Sequence, residues 1–125
     1  MNKRKIGKAF RISEGKGFRI RFENGWGVSV QFGPGNNCDN YDMEIGFDDL
    51  EAGNRGSNTA EIAINHDDGQ WCEYCYDEGE DLKDIIRGHV TPKTVLDLMN
   101  YAAALKTDAN PVLKWDNLLN VPIFT

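Results

Sequence analysis

Residues 18–32 alternate so regularly that they leave one backbone form open. Phe18, Ile20 and Phe22 alternate with Arg19, Arg21 and Glu23, and Trp26, Val28, Val30 and Phe32 alternate with Gly27, Ser29 and Gln31. Both are period-2 runs, the mark of strands with one buried face. Asn24-Gly25 between them signals a turn. A two-residue turn would pair Phe22 with Gly27 and split the apolar residues between the two faces. A three-residue loop, Glu23-Asn24-Gly25, instead pairs Phe22 with Trp26, Ile20 with Val28 and Phe18 with Val30. A slip of one residue flips every side chain, so burial selects this second register. Gly25 then takes the left-handed position of a type I turn with a G1 bulge, which a residue without Cβ occupies freely.

The opposite face carries the chemistry. In that register Arg19 and Arg21 lie beside Gly27, Ser29 and Gln31, so two cations flank little side-chain bulk and form a shallow, positive trough. The second strand runs into Gly33-Pro34-Gly35-Asn36-Asn37-Cys38-Asp39-Asn40-Tyr41-Asp42. Glycines let backbone N–H groups approach a ligand, and successive N–H groups form anion-binding nests. Asn36, Asn37 and Asn40 offer amides to the polar edges of a base or ribose. The candidate ligand-binding residues are therefore Arg19, Arg21, Gly33, Gly35, Asn36, Asn37, Asp39, Asn40 and Tyr41. The competing reading is a plain turn beside a solvated strand face, since a lone Gly-rich loop is a weak motif.

Charge narrows the ligand. The net charge of −6 hides an asymmetry: residues 1–21 hold eight Lys/Arg against Glu14 alone, and residues 22–125 hold six against nineteen Asp/Glu. Overall acidity argues against direct nucleic-acid binding, where phosphate neutralisation dominates. A local cationic strip still suits a small phosphate-bearing molecule. The acidic remainder alternatively suits a basic protein surface.

At 125 residues one domain is expected, with residues 1–5 a frayed basic end and 106–125 a C-terminal extension. No run reaches the ~18 apolar residues of a membrane span, and the basic start lacks a signal peptide's apolar stretch. An odd count of three cysteines fits reduced thiols. A cytoplasmic protein is expected, without membrane association.

The rest of the chain extends the pattern. Ile6 to Ile12 reads as a short strand, with a turn from Ser13 to Gly17. Residues 39–58 read as a long ordered loop with one helical turn near 47–51. Thr59 to Asn65 alternates, Asp68-Gly69 turns, and Gln70 to Tyr76 returns, giving a second hairpin over 59–76. Ile85-Ile86 marks a short edge strand. Thr91 is a good N-cap and Pro92 suits the first helical position. Val95, Leu98, Met99, Ala102 and Leu105 then form a helical stripe over 92–105 that packs on the sheet's apolar face. Asn110-Pro111 repeats the start signal for a short C-terminal helix through Leu119. An apolar tail, Val121 to Phe124, packs on its own domain or on a second subunit, which makes a homo-oligomer possible. The fold class is α+β, an antiparallel sheet with one main helix on one face.

Catalytic and metal motifs are weak. Cys72-Glu73-Tyr74-Cys75 has C-x-x-C spacing, with His66 and Cys38 as further ligands for zinc. In a strand, however, residues three apart point to opposite faces and cannot share a metal. His66 falls in a hairpin turn, where a solvent-exposed histidine is expected. His89 reads as structural. No G-x-S-x-G, P-loop or H-E-x-x-H is present. The sequence therefore predicts no catalytic residues, no metal and no cofactor.

The segment Gly15-Lys16-Gly17-Phe18, with Gly25-Trp26-Gly27-Val28-Ser29-Val30-Gln31-Phe32-Gly33-Pro34-Gly35-Asn36-Asn37-Cys38-Asp39-Asn40, resembles a family of small uncharacterised proteins encoded by bacteriophages and other mobile elements. Asn58 to Ala63 and the Thr91-Pro92 helix resemble it too, so the likeness spans most of residues 15–105. It implies a phage origin rather than a mechanism, and location in an infected bacterial host cell. In that setting the trough suggests a counter-defence sponge that sequesters a nucleotide-derived immune signal, a cyclic dinucleotide or a cyclic ADP-ribose isomer. The alternative is an acidic inhibitor of a host defence protein, anti-CRISPR-like or DNA-mimicking, using Asp48, Asp49, Glu51, Glu78, Glu80 and Asp81. A second alternative is a small enzyme acting on a nucleotide.

Overall fold

The computed structural model describes residues 7–13, 16–41, 56–76 and 83–124. The expected helical turn at 47–51 and the six acidic residues of the inhibitor reading lie outside them. Among the described residues nine strands form two sheets, joined by one helix. The first has the order β1-β2-β3-β4-β7, from β1 (Phe10–Ile12), β2 (Gly17–Arg21), β3 (Trp26–Gln31), β4 (Ala60–His66) and β7 (Arg87–Val90). All its pairs are antiparallel. The second has the order β6-β5-β8-β9, from β5 (Glu73–Tyr76), β6 (Lys83–Asp84), β8 (Val112–Asp116) and β9 (Val121–Ile123). Helix α1 (Pro92–Ala103) lies between β7 and β8 in the chain. The architecture is α+β.

The central hairpin has the register that burial requires. Phe18 faces Val30, Ile20 faces Val28, and Phe22 N donates to Trp26 O at 2.8 Å. Gly25 closes the turn at φ +87°, in the left-handed region. Asn24 does more than turn the chain. Its Oδ1 accepts from Trp26 N, and its Nδ2 donates to the carbonyls of Ala102 (2.9 Å) and Leu105 (2.8 Å). Ala102 belongs to the last turn of α1, where carbonyls lose the regular intrahelical bond, and Leu105 lies just past it. One amide thus fixes both the hairpin tip and the end of α1.

Helix α1 begins as expected, with Thr91 as N-cap and Pro92 first. Leu98 and Ala102 are fully buried, and Val95, Met99 and Leu105 pack against the same core. That core is continuous, running from Trp26, Val28, Ile62 and Ile64 in the first sheet to Tyr74, Leu113 and Trp115 in the second.

Four expectations are corrected. The hairpin over 59–76 does not continue: after a bridge between Asn65 and Trp71 the chain leaves β4, and β5 pairs in parallel with β8. A parallel pair needs a crossover, and α1 lies within it. The C-terminal helix is absent, and residues 112–123 form the β8–β9 hairpin. Leu113 and Trp115 are buried while Val112 and Lys114 are exposed, which is period 2. Trp115 meets Tyr74 edge-on at 5.5 Å, and the Arg87 guanidinium lies 5.2 Å from the Trp115 ring and 5.7 Å from the Tyr74 ring. This aromatic–cation packing outweighs a local helix signal. Ile85 and Ile86 form no strand but join β6 to β7, both side chains partly exposed. The first strand is shorter than expected, and its apolar Phe10 and Ile12 are exposed.

Candidate functional site: a cationic trough

The polar face of β1, β2 and β3 forms the trough that the alternation implied. Arg19 stands opposite Ser29, and Arg21 opposite Gly27. A Cβ on Gly27 would sit 3.2 Å from the Arg21 guanidinium, so its absence lets Arg21 lie flat across the strand. Arg21 Nη1 donates to the carbonyls of Gly25 (2.9 Å) and Asn65 (3.0 Å), which holds the charge in a fixed place. Gln31 Nε2 donates to Ser29 Oγ at 3.0 Å.

Strand β1 adds what sequence reasoning missed. Arg11 faces Arg19 in register across β1 and β2. Like charges directly opposite on one sheet face are destabilising, so this pairing is what an anion would relieve. Two cavities meet at the pair. One of about 230 Å³ has Lys8, Arg21, Ser29 and Asn65 in its wall besides Arg11 and Arg19. The other, about 400 Å³, has Lys16, Gln31 and Asn36. Among the described residues Asp67 is the one carboxylate in either wall. A third cavity, of about 300 Å³, is lined among the described residues by apolar and uncharged polar side chains, Phe18, Phe32, Val90, Pro92 and Val95 among them. The missed signal was available: antiparallel pairing around the Ser13–Gly17 turn puts Arg11 against Arg19.

The Gly-rich loop plays a different part from the one expected. Its N–H groups are spent inside the protein: Gly35 N on Tyr41 O, Asn36 N on Gly33 O, Cys38 N on Asn36 O and Tyr41 N on Cys38 O. Asn37 N donates to the Glu61 carboxylate at 2.8 Å, and Asp39 N to Thr59 Oγ1 at 3.0 Å. The anion in this nest is therefore the protein's own Glu61. Asn40 is buried, accepting from Cys38 Sγ and donating to Gly56 O, and Asn37 O accepts from His89 N. Of the loop residues, only Asn36 reaches the trough. Its Nδ2 is buried and has no acceptor. Gly33, Gly35, Asn37, Asp39, Asn40 and Tyr41 line neither lobe.

The expected exposed histidine is a further correction. His66 is buried, its ring edge-on to Trp26 at 5.0 Å. Its Nδ1 accepts from Asp68 N at 3.1 Å and lies 3.0 Å from Asp67 Oδ1. His89 is exposed at φ +52°, with Nδ1 3.6 Å from Asp39 Oδ1. Cys72 is fully buried while Cys75 is half-buried. Burial, helped by the Glu73 charge, pushes the Cys72 thiol up to about 12. Among the described residues no group of three or more His, Cys, Asp and Glu side chains is placed to hold a metal ion. Nor is any described helix long and apolar enough to cross a membrane.

Fold and site together define a small α+β protein with a two-lobed cationic trough on its first sheet. No protein-family model, no curated protein and no solved structure matches the chain. The phage likeness thus rests on the residues quoted for it.

Proposed function

We propose that the protein captures a small nucleotide derivative carrying two phosphates, of cyclic dinucleotide or cyclic ADP-ribose type, in the trough between β1 and β3. The observation that carries this reading is the in-register opposition of Arg11 and Arg19 where the two lobes meet. A phosphate between them replaces cation–cation repulsion with paired, charge-assisted hydrogen bonds. Arg21 and Lys8 serve a second anionic group in the smaller lobe. Asn36, Gln31 and Ser29 present amides and a hydroxyl to ribose or base. The setting, counter-defence by a phage protein in the cytoplasm of an infected bacterium, follows from the sequence resemblance.

Calorimetric titration with a panel of cyclic dinucleotides and cyclic ADP-ribose isomers tests the reading. Saturable binding of one class, with the compound released intact on denaturation, is the expected result. A cleaved product would make the protein an enzyme, and binding to none would remove the trough as a nucleotide site.

A further inference from the structure

Strand β1 is the outer strand of the first sheet. Arg21 N donates to Ala9 O (2.7 Å) and Ser13 N to Gly17 O (3.0 Å). In an antiparallel ladder the backbone groups alternate direction, so Ala9, Arg11 and Ser13 point theirs at β2. Phe10 and Ile12 therefore turn N–H and C=O outward, away from the sheet. Their side chains share a face with Ile20 and Phe18, yet are 73% and 87% exposed. Arg11 lies on the other face. Among the described residues the edge thus offers backbone groups without partners, two large apolar side chains on one side and a cation on the other.

Such an edge templates an added strand. A second copy of β1 is a poor occupant, because antiparallel pairing centred on Arg11 sets Arg11 against Arg11. The complementary strand has apolar residues opposite Phe10 and Ile12 and a carboxylate opposite Arg11. We propose that the outer edge of β1 is a strand-addition site for an extended segment of a partner protein in which apolar residues alternate with Asp or Glu. The proposal shares Arg11 with the trough but needs no nucleotide in either lobe, and the amides of Phe10 and Ile12 report it apart from capture.

The test titrates the isotope-labelled full chain with an acetylated, amidated eight-residue peptide alternating Val and Glu, followed by NMR. A matched peptide alternating Val and Lys is the control. The Glu peptide is expected to shift and protect from exchange the amides of Phe10 and Ile12, saturably. The Lys peptide is expected to bind about fivefold more weakly, from the cross-strand pair with Arg11 reversed in sign. Arg11→Glu reverses that preference. Equal response to both peptides, no response at Phe10 and Ile12, or a concentration-dependent dimer abolished by Phe10→Glu would each overturn the proposal. The last result would assign the edge to a second copy of the chain.

Discussion

At the scale of single residues, the trough separates binding from stability. Arg19 is exposed on the polar face of β2, so under the proposed function Arg19→Glu should keep the fold and remove nucleotide binding. Circular dichroism beside calorimetry checks this, and unchanged affinity in a folded variant would count against the site. Arg21 differs, because its guanidinium ties the Gly25 turn to β4 through two carbonyls. Arg21→Ala is expected to weaken binding and also to lower stability by about 1–2 kcal/mol, read from urea melts. The buried thiol gives a prediction in pH. Cys72 ionises near 9.0 when exposed but only near 12 in the fold. Between those values the unfolded chain releases a proton that the folded chain keeps, so its contribution is whole below pH 9 and lost as pH rises towards 12. Tyr101, raised to about 12 mainly by burial, acts in the same direction. Cys72→Ala should therefore flatten the fall of the urea midpoint over that alkaline range. An unchanged slope would mean the thiol is more accessible than its burial implies.

At the scale of elements, what the sequence made legible was whatever one face decides. The β2–β3 register and the α1 stripe follow from local alternation and periodicity, and both stand in the structure. The β8–β9 hairpin was illegible because its apolar residues satisfy helical spacing as well as Leu113 and Trp115 satisfy period 2. Only the partner decides, and that partner is Tyr74, which pairs in register with Leu113, 39 residues later, and meets the Trp115 ring. The Gly-rich loop misled for a similar reason: a nest pattern gives N–H direction, but Glu61 and Thr59, which consume the donors, arrive from β4 and its approach. The hairpin and helix forms of 112–119 predict opposite mutational patterns. Leu118 is 97% exposed at the turn, where Asp116 Oδ1 accepts from the Leu118 and Leu119 N–H groups. Leu118→Glu should leave the melting temperature unchanged, whereas a packed helical stripe would lose several kcal/mol. Trp115→Ala should cost about 3–5 kcal/mol, since it removes the ring that packs against both Tyr74 and Arg87.

At the scale of the whole molecule, the trough is a positive strip on an acidic protein, and that contrast sets ligand size. The basic residues lie early in the chain, while residues 22–125 carry a balance of −13. A ligand small enough to stay within the two lobes meets Lys8, Arg11, Arg19 and Arg21 at contact distance. A long polyanion extends beyond them and meets the field of a protein whose net charge is −6. Screening acts on these two effects differently. The Debye length falls from about 30 Å at 0.01 M salt to about 10 Å at 0.1 M, which removes distant repulsion before it weakens contact pairs. Affinity for a two-phosphate nucleotide should therefore decline only moderately over that range, by about tenfold or less. Duplex DNA should show no binding at 0.01 M, where the acidic field reaches furthest, although low salt normally favours DNA binding. Fluorescence anisotropy with both ligands at the two ionic strengths separates the cases. Tight DNA binding at low salt, lost on Arg19→Glu, would show that the local strip outweighs the net charge and that the trough does not select for small ligands.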